Sequence, residues 1–438
     1  MVVVLRTTNG RVPWSQLPSS ARRVLVGAGV EAIGTGFVLP FVVIYLHEVR
    51  HISLAAAGAI VALNGVVGLA AIPVYGVLID RIGAKRVLLT SLALNCIGAL
   101  GFAAADSVAT AAAAMTFSGL GGAGFWPASQ SLIGSIVPSR DRHHFFALNF
   151  VVLNLGIGLG GLAAAALVRP GHPGTYELLF VINALTFAID ALILAPVRVP
   201  PAAPEDHPTE RSSSYRALLA RPAMRWLLVL QFLLILAGYA QLETGFPAYV
   251  RTLGVSPHIV GLAFAANTGA IVAGQLWVQR RTTGLRRTRA IVMVTGLWIA
   301  SWCVLAAGHW TAHHRAAGVL TVIFAVVFGV GEMFFAPTIP AIVNDLAPEH
   351  MRGRANAAGA FCWSVAMVLG PVFGGTLIGA GAELAWIGAL IGGCVVAAAV
   401  ALRLERILPA TANGGPDSVV DEQRPPDLLA WQPEPTRS

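Results

Sequence analysis

Residues 76–86 read GVLIDRIGAKR, setting one acid, three bases and two glycines between two apolar runs, 54–78 and 87–105. Each run is long enough to cross the ~30 Å hydrocarbon core of a bilayer as a helix rising ~1.5 Å per residue. The stretch therefore reads as a short polar connection between two membrane-spanning helices. Composition extends that reading to the whole chain, which is 56% hydrophobic and only 11% charged, with a mean hydropathy of +0.72. A soluble domain usually carries about a quarter charged residues.

Twelve such runs recur: 24–46, 54–78, 87–105, 108–135, 145–168 and 176–196, then 226–250, 257–279, 289–308, 316–343, 355–379 and 383–403. The expected fold class is an all-α polytopic membrane protein of twelve transmembrane helices in two pseudo-symmetric six-helix halves. Residues 1–199 form the N-terminal half and 226–405 the C-terminal half. Between them, 200–225 contain PPAAPEDHPTERSSS, too polar to build a core, and read as a flexible cytoplasmic linker. Residues 406–438, rich in Pro, Asp and Glu, read as a disordered cytoplasmic tail.

Charge orients the array. With the N-terminus in the cytoplasm, 25 of the 29 lysines and arginines fall in inner segments, leaving Arg50, Arg169, Arg251 and Arg315 outside. That bias places both termini in the cytoplasm, in a cell inner (plasma) membrane. The net charge of +8 is thereby topological and calls for no nucleic-acid partner. The polar, basic first twenty residues lack the pattern of a removable signal peptide, so the first span is expected to act as its own insertion signal. Cys96, Cys303, Cys362 and Cys394 all lie in predicted spans without metal-like spacing, implying neither disulfide nor zinc site.

An internal repeat supports the two halves. At an offset of 210, residues 119–160 match 329–370 at Gly119/Gly329, Gly121/Gly331, Phe125/Phe335, Pro127/Pro337, Pro138/Pro348, Arg142/Arg352, Ala147/Ala357, Leu159/Leu369 and Gly160/Gly370. Prolines and a loop arginine keep register across helix, loop and helix, as a duplicated six-helix unit requires.

In this setting Gly76, Asp80, Arg81, Gly83, Lys85 and Arg86 resemble the loop between helices 2 and 3 of the major facilitator superfamily. The stretch PAIVNDLAPEHMRGRANA, 340–357, resembles its loop between helices 10 and 11, and the likeness covers roughly residues 20–405. The resemblance implies alternating access about a central cavity. The residues agree on their own terms. Gly76 permits close helix approach, Gly83 a tight turn, and the bases hold the loop in the cytoplasm. Asp80, at a helix end, has three partners open to it: Arg81, Arg86, or the positive end of another helix. The resemblance favours the eleventh helix, closing an inner gate.

An acid inside a spanning helix is costly and faces a cavity or a partner. Glu332 lies near the middle of the tenth span, Glu31 a third of the way into the first, and Glu243 in the outer part of the seventh. Apolar surroundings favour the neutral carboxyl, so such a group takes a proton from one side and releases it when its environment changes. These three are the candidate proton or cation sites. Asp190, near the inner end of the sixth span, reads instead as a neutralised structural acid. GE followed by aromatics and Pro, at 331–337, is similar to proton-driven multidrug exporters of the superfamily. In that fold helices 1, 4, 7 and 10 line the cavity. The resemblance thus names Phe37, Phe125, Trp126, Gln130, Gln241, Phe246, Tyr249, Phe334 and Phe335 as cavity candidates, suited to amphipathic or cationic organic molecules. Gly156, Gly160, Gly370, Pro371, Gly374 and Gly375 are expected to serve close helix packing. Two features depart from the exporter pattern: Met115 stands where many exporters carry arginine, and Gly161 where proline is expected.

Other classes leave weaker marks. HEVRH, 47–51, matches the H-E-x-x-H zinc-protease pattern, but at a helix end with no evident third ligand. An ATP-driven pump needs Gly-Lys-Ser/Thr, and the one lysine, Lys85, precedes Arg86. The expectation is therefore a secondary carrier, not an enzyme, without cofactor or metal, working as a monomer in the lipid bilayer. Its partners are a small-molecule substrate and protons. Proton-coupled export of small organic, drug-like molecules is the favoured reading; uptake of a small nutrient is its rival, and an intramembrane zinc protease the remote one.

Overall fold

The computed structural model describes residues 17–39, 41–169, 172–199, 214–282, 284–311 and 314–414. Most of the expected linker, 200–213, and of the expected tail, 415–438, lies outside the described residues. The helices are α1 (Ser19–Val38), α2 (Leu54–Ile82), α3 (Ala84–Ala103), α4 (Val108–Ile136), α5 (Ser139–Leu167) and α6 (Pro173–Leu194). The second set comprises α7 (Pro222–Ala237), α8 (Pro257–Thr282), α9 (Arg287–Ala307), α10 (His314–Leu346), α11 (Arg352–Gly379) and α12 (Glu383–Glu405). Among the described residues no strand is present. Among the described residues eleven helices are long and apolar enough to span a bilayer, and up to twelve if α1 and the bent continuation Val42–Val49 count as one.

Local chemistry sets the ends. Ser53 caps α2 by accepting from the Ala56 amide at 3.3 Å, and Ser107 with Thr110 forms a capping box at the start of α4. Gly83, at φ +91°, ends α2 and starts α3 in one residue, a conformation that glycine adopts without steric cost.

The helix contacts repeat with the sequence. Helix α1 packs on α5 and α6, α3 on α4 and α6, and α2 on α4; six helices later α7 packs on α11 and α12, α9 on α10 and α12, and α8 on α10. The contacts between halves obey the same shift, α2 on α11 answering α8 on α5, and α5 on α10 answering α11 on α4. Two pseudo-equivalent halves are thus visible in packing as well as in residue identities.

Three expectations need correction. The first span, read as unbroken over 24–46, ends at Val38, and the helix resumes at Val42 after a 41° bend. The seventh, read as one helix over 226–250, breaks into Pro222–Ala237, Tyr239–Glu243 and Gly245–Thr252. Gly238 (φ −114°, ψ −95°) sits at the first break, where a Cβ would collide with the Trp298 indole. Finally, the disordered tail does not begin at 406: Ala410–Asn413 forms a helical turn whose Asn413 Oδ1 accepts from the Thr288 amide at 3.0 Å. The Arg287 guanidinium donates to the Ala412 carbonyl at 2.9 Å.

Candidate functional site

Three polar clusters interrupt the apolar interior. The first joins the halves at the end of the bundle that carries the basic loops. Asp80, at the end of α2, accepts from the Gly353 amide (2.6 Å), the Arg354 amide (3.2 Å) and the Arg354 guanidinium (2.6 Å). Of the three partners open to it, the acid therefore meets the N-terminus of α11, where unpaired amides and the helix dipole favour negative charge. Gly76 makes the approach possible, since a Cβ there would stand 2.7 Å from Ala357 Cβ and 3.1 Å from Arg354 Cα. Lys85 donates to the Ala195 carbonyl at 2.5 Å, while Arg81 and Arg86 are exposed.

A second bond set in the same seam was not anticipated. Arg142 of α5 and Arg287 of α9 both pair with Asp345 of α10, all three side chains being nearly enclosed. Arg142 also donates to the Val137 and Gly134 carbonyls, at 3.1 and 2.5 Å, so its fork is well filled. Beside it His143 meets Thr338 at 3.2 Å, His144 meets Gln279 at 2.6 Å, and Asn356 donates to Ser131 at 3.0 Å. Each of these crosses from one half to the other. The outer parts of the same helices lack such cover: a Cβ at Gly58, Gly65, Gly68, Gly375 or Gly379 would find nothing within 4 Å. The polar contacts between the halves thus gather at the basic end, and these outer glycines of α2 and α11 meet no neighbour. The repeat alignment pairs Arg142 with Arg352 but gives no partner for either, because Asp345, in the last turn of α10, aligns with the uncharged Ser135.

The second cluster surrounds Glu332. Its carboxylate accepts from Asn267 Nδ2 of α8 at 2.6 Å with the Tyr239 phenol close by, and only 4% of the residue is exposed. Tyr239 begins the detached segment of the seventh span, so the break in that helix delivers the phenol to the acid. Around Tyr239 stand Trp363, Phe335 and Trp298, with ring centroids at 5.0, 5.4 and 5.8 Å. Sequence reading named Glu332 and Phe335 but missed Tyr239, Asn267 and Trp298. An asparagine in the run IVGLAFAANTG and a tyrosine straight after Gly238 were the available signals. Glu243 closes the detached segment, exposed and near enough to influence the charge of Glu332.

The third cluster lies between α1 and α6. Glu31, 8% exposed, accepts from Thr35 Oγ1 at 2.7 Å, and Asp190, 2% exposed, lies within electrostatic reach of it.

The cavity candidates divide. Trp126 is half exposed and packs edge-on against Phe125 at 5.6 Å, and Gln130 lies half-buried on the same helix. Phe334 is buried in the core of the C-terminal half. Phe37 packs inside the N-terminal half with Tyr45 and Phe180. Gln241, Phe246 and Tyr249 are corrections: all three are fully enclosed. Gln241 donates to the Gly370 carbonyl (3.1 Å) and accepts from Trp386 (2.9 Å), Phe246 stacks on Phe324, and Tyr249 faces Trp386. The break in the seventh span turns these side chains towards α10, α11 and α12 rather than towards a cavity. Among the packing residues, Gly156 and Gly160 let α5 press on α1, with Ala32 Cβ 2.6 Å from a Cβ at 156. Gly370 and Gly374 do the same for α11 on the seventh span. Pro371 is exposed and Gly375 faces open space, so neither packs as expected.

HEVRH begins in a π-helical turn, Tyr45–Val49, and its Arg50 and His51 lie beyond the end of that turn. His47 Nδ1 faces the Ile52 carbonyl at 2.9 Å, His51 adopts φ +56°, and Arg50 pairs with Glu177 at 2.8 Å. The two imidazoles therefore do not sit one regular helical turn apart. Among the described residues no group of three or more His, Cys, Asp or Glu could hold a metal ion.

A family model described as Major Facilitator Superfamily matches residues 24–283 and 246–433. The chain belongs to that superfamily. It is 24% identical over 366 residues to YttB of Bacillus subtilis (strain 168), an uncharacterized MFS-type transporter, covering 83% of this chain and 89% of the relative. A Na(+), Li(+), K(+)/H(+) antiporter of Planococcus maritimus is 24% identical over 368 residues, covering 76% and 84%. Among solved structures, a bacterial homologue of the iron transporter ferroportin in the outward-facing state superposes with a TM-score of 0.74 at 15% identity, covering 89% of this chain and all of that one. The E. coli fucose:proton symporter gives 0.69 at 15% identity, covering 92% and 100%. These likenesses carry the fold; their cargoes are their own. The superfamily member described here is a multi-pass membrane transporter and not an enzyme.

Proposed function

We propose that this alternating-access transporter couples movement of a small organic, drug-like molecule to protons, with export as its direction and the plasma membrane as its site. The basic end is the cytoplasmic end by charge bias, with both termini there, so the latched arrangement corresponds to the outward-facing state. One observation carries the coupling. Glu332 is enclosed in α10, and the groups beside its carboxylate, the Asn267 amide that donates to it and the Tyr239 phenol, are both neutral. A carboxylate without a fixed countercharge inside a membrane needs a mobile one, a proton or a cationic substrate. The aromatic rings around Tyr239 suit an organic cation through cation–π attraction, which makes the two occupants competitors for one acid, the arrangement an exchanger uses. Glu31 and Glu243 serve as further coupling acids, and Phe125, Trp126 and Gln130 extend the cavity wall. The protein works as a monomer.

Transport of cationic dyes into inverted vesicles under an imposed pH gradient tests this. Glu332→Gln is expected to lose gradient-driven transport at least about tenfold while keeping its fold, because the amide preserves shape and cannot carry the proton. Undiminished transport by the variant refutes the assignment. Uptake in right-side-out cells that is driven by the same gradient would reverse the direction and leave Glu332 in place.

A further inference from the structure

Helix α9 begins without a cap of its own. Arg286 stands at its N-cap position, and a guanidinium has no acceptor to offer the first amides of the helix. The acceptor comes from the far end of the chain: Asn413 Oδ1 takes the Thr288 amide at 3.0 Å, 125 positions away. The same turn gives the Ala412 carbonyl to the Arg287 guanidinium at 2.9 Å. Gly414 then passes beside the stem of that arginine, where a Cβ would lie 3.7 Å from Arg287 Cγ.

The turn is part of the core. Leu408 and Ala412 pack in the cluster that holds Ala290 and Ile291 of α9 with Val343 and Ala347 at the end of α10, and Asn413 is only 4% exposed. Upstream, Glu405 fixes the approach by pairing with Arg286 at 3.2 Å and with Arg289 at 2.8 Å. Arg287 is where this segment meets the seam between the halves. Its guanidinium holds the Ala412 carbonyl and Asp345 together, and Asp345 holds Arg142 of the opposite half. Ion pairs kept from water hold far more strongly than hydrated ones at a surface. With the turn withdrawn, Arg287 loses its cover, water reaches Asp345, and the grip of Asp345 on Arg142 weakens.

We infer that residues 408–414 form a strap that controls the latch: the seated turn favours closure of the halves at the basic end, and its release shifts the transporter towards the arrangement open there. Asn413 is the positioning residue, acting through Arg287. By linkage, closure of the latch favours seating of the turn by the same factor. The inference is independent of cargo and of proton transfer at Glu332, since neither enters these contacts.

Two measurements on the reconstituted protein test it together. Spin labels at Val61 and Val372, exposed on α2 and α11, in a background lacking the four cysteines, report the ratio of latched to open molecules. Hydrogen exchange at the first amides of α9 reports seating of the turn. Asn413→Ala is expected to speed exchange at Thr288 and to lower the latched-to-open ratio about fivefold, in line with the loss of a helix cap. Asn413→Asp keeps the acceptor and is expected to hold wild-type values in both. A chain ended after Leu408 should lower the ratio at least about tenfold, whereas one ended after Gly415, which retains the turn, should leave it unchanged. Faster exchange in Asn413→Ala with an unchanged distance distribution would make the turn a cap for α9 and nothing more, and overturns the inference. A wild-type distribution in the chain ended after Leu408 overturns it too, as does an equal shift in the chain ended after Gly415. Asn413→Ala keeps the test decisive if the shorter chain fails to fold.

Discussion

Replacing Asp80 by asparagine removes the charge that three donors of α11 converge on. The lost contacts are the Arg354 guanidinium at 2.6 Å and the charge-assisted bonds from the Gly353 and Arg354 amides at 2.6 and 3.2 Å. The side chains of Asp80 and Arg354 are 5% and 6% exposed, so the pair behaves as a buried one. Breaking a buried pair by removing one partner costs about 3–5 kcal/mol, because the other charge is left uncompensated. Asparagine keeps one acceptor for an amide, and Arg354 regains water when the seam opens, so about 3 kcal/mol is the appropriate share for the latched state alone. At ~1.4 kcal/mol per factor of ten, the latched state loses about a hundredfold in population relative to the alternative. Spin labels at Val61 and Val372, exposed positions near the outer ends of α2 and α11, read this as a distance distribution in a background lacking the four cysteines. The wild type should show mainly the long distance and Asp80→Asn mainly a shorter one, with Arg354→Ala adding little to it because the two residues share one interaction. An unchanged distribution in Asp80→Asn, or full additivity with Arg354→Ala, refutes the latch.

Three further outcomes follow from the geometry. Asp345→Asn should open the same seam, because it strands Arg142 and Arg287 together, and the same label pair should report a shift at least as large as for Asp80→Asn. Gly160→Val should destabilise the protein by about 1–3 kcal/mol or more through collision with the Ile33 carbonyl, whereas Gly158→Ala, with nothing within 4 Å, should be neutral to slightly stabilising in detergent melting curves. Asn267→Ala removes the 2.6 Å donor to Glu332 without altering charge, and should shift the pH dependence of transport while leaving dye binding at saturating pH within about threefold.

The spans and the two halves were legible because they rest on signals the chain repeats many times: apolar length, positive flanks, and glycines and prolines in register over forty residues. Asp80 was legible as a latch residue only up to its list of partners, since the amide N-terminus it binds belongs to a helix 273 positions away. The Arg142, Asp345 and Arg287 set was not legible at all. Each member reads in sequence as an ordinary loop charge, and only the closure of α5 on α10 turns three interfacial charges into one buried network. The same limit explains the seventh span. Hydropathy averages over the window 226–250 and is blind to a backbone break, so Gln241, Phe246 and Tyr249 were assigned to a face that the breaks at Gly238 and Thr244 rotate away. Tyr239 was missed for the converse reason: the break that hides those three presents it to Glu332.

The distribution of these groups bears on how the molecule is driven. Passing to the state open at the basic end requires parting Asp80 from α11 and Arg142 from Asp345. Both sets become hydrated when they part, so the net cost is a few kcal/mol rather than the sum of their gross attractions. One elementary charge moving through 100 mV is worth about 2.3 kcal/mol, the same order. A single coupled proton is therefore enough to tip the equilibrium if its binding differs between the two states, and too little if it does not. On the proposed reading Glu332 is the group that meets that condition. Its partner Tyr239 sits on a segment detached at both ends, and Gln241 of the same segment is clamped to α11, the helix whose N-terminus Asp80 holds. Movement of α11 at the latch would strain or shift the segment that carries Tyr239 through the Gln241 bond, which joins the surroundings of Glu332 to the bond set at Asp80. On this argument Gln241, removed from the cavity wall by the structure, gains a different importance. Gln241→Leu keeps the volume and breaks the clamp, and should uncouple the proton gradient from dye transport while leaving the latched distance between the spin labels unchanged. A collapse of that distance in Gln241→Leu would mean that the residue holds the latched state itself, and the connection would have to run through another element.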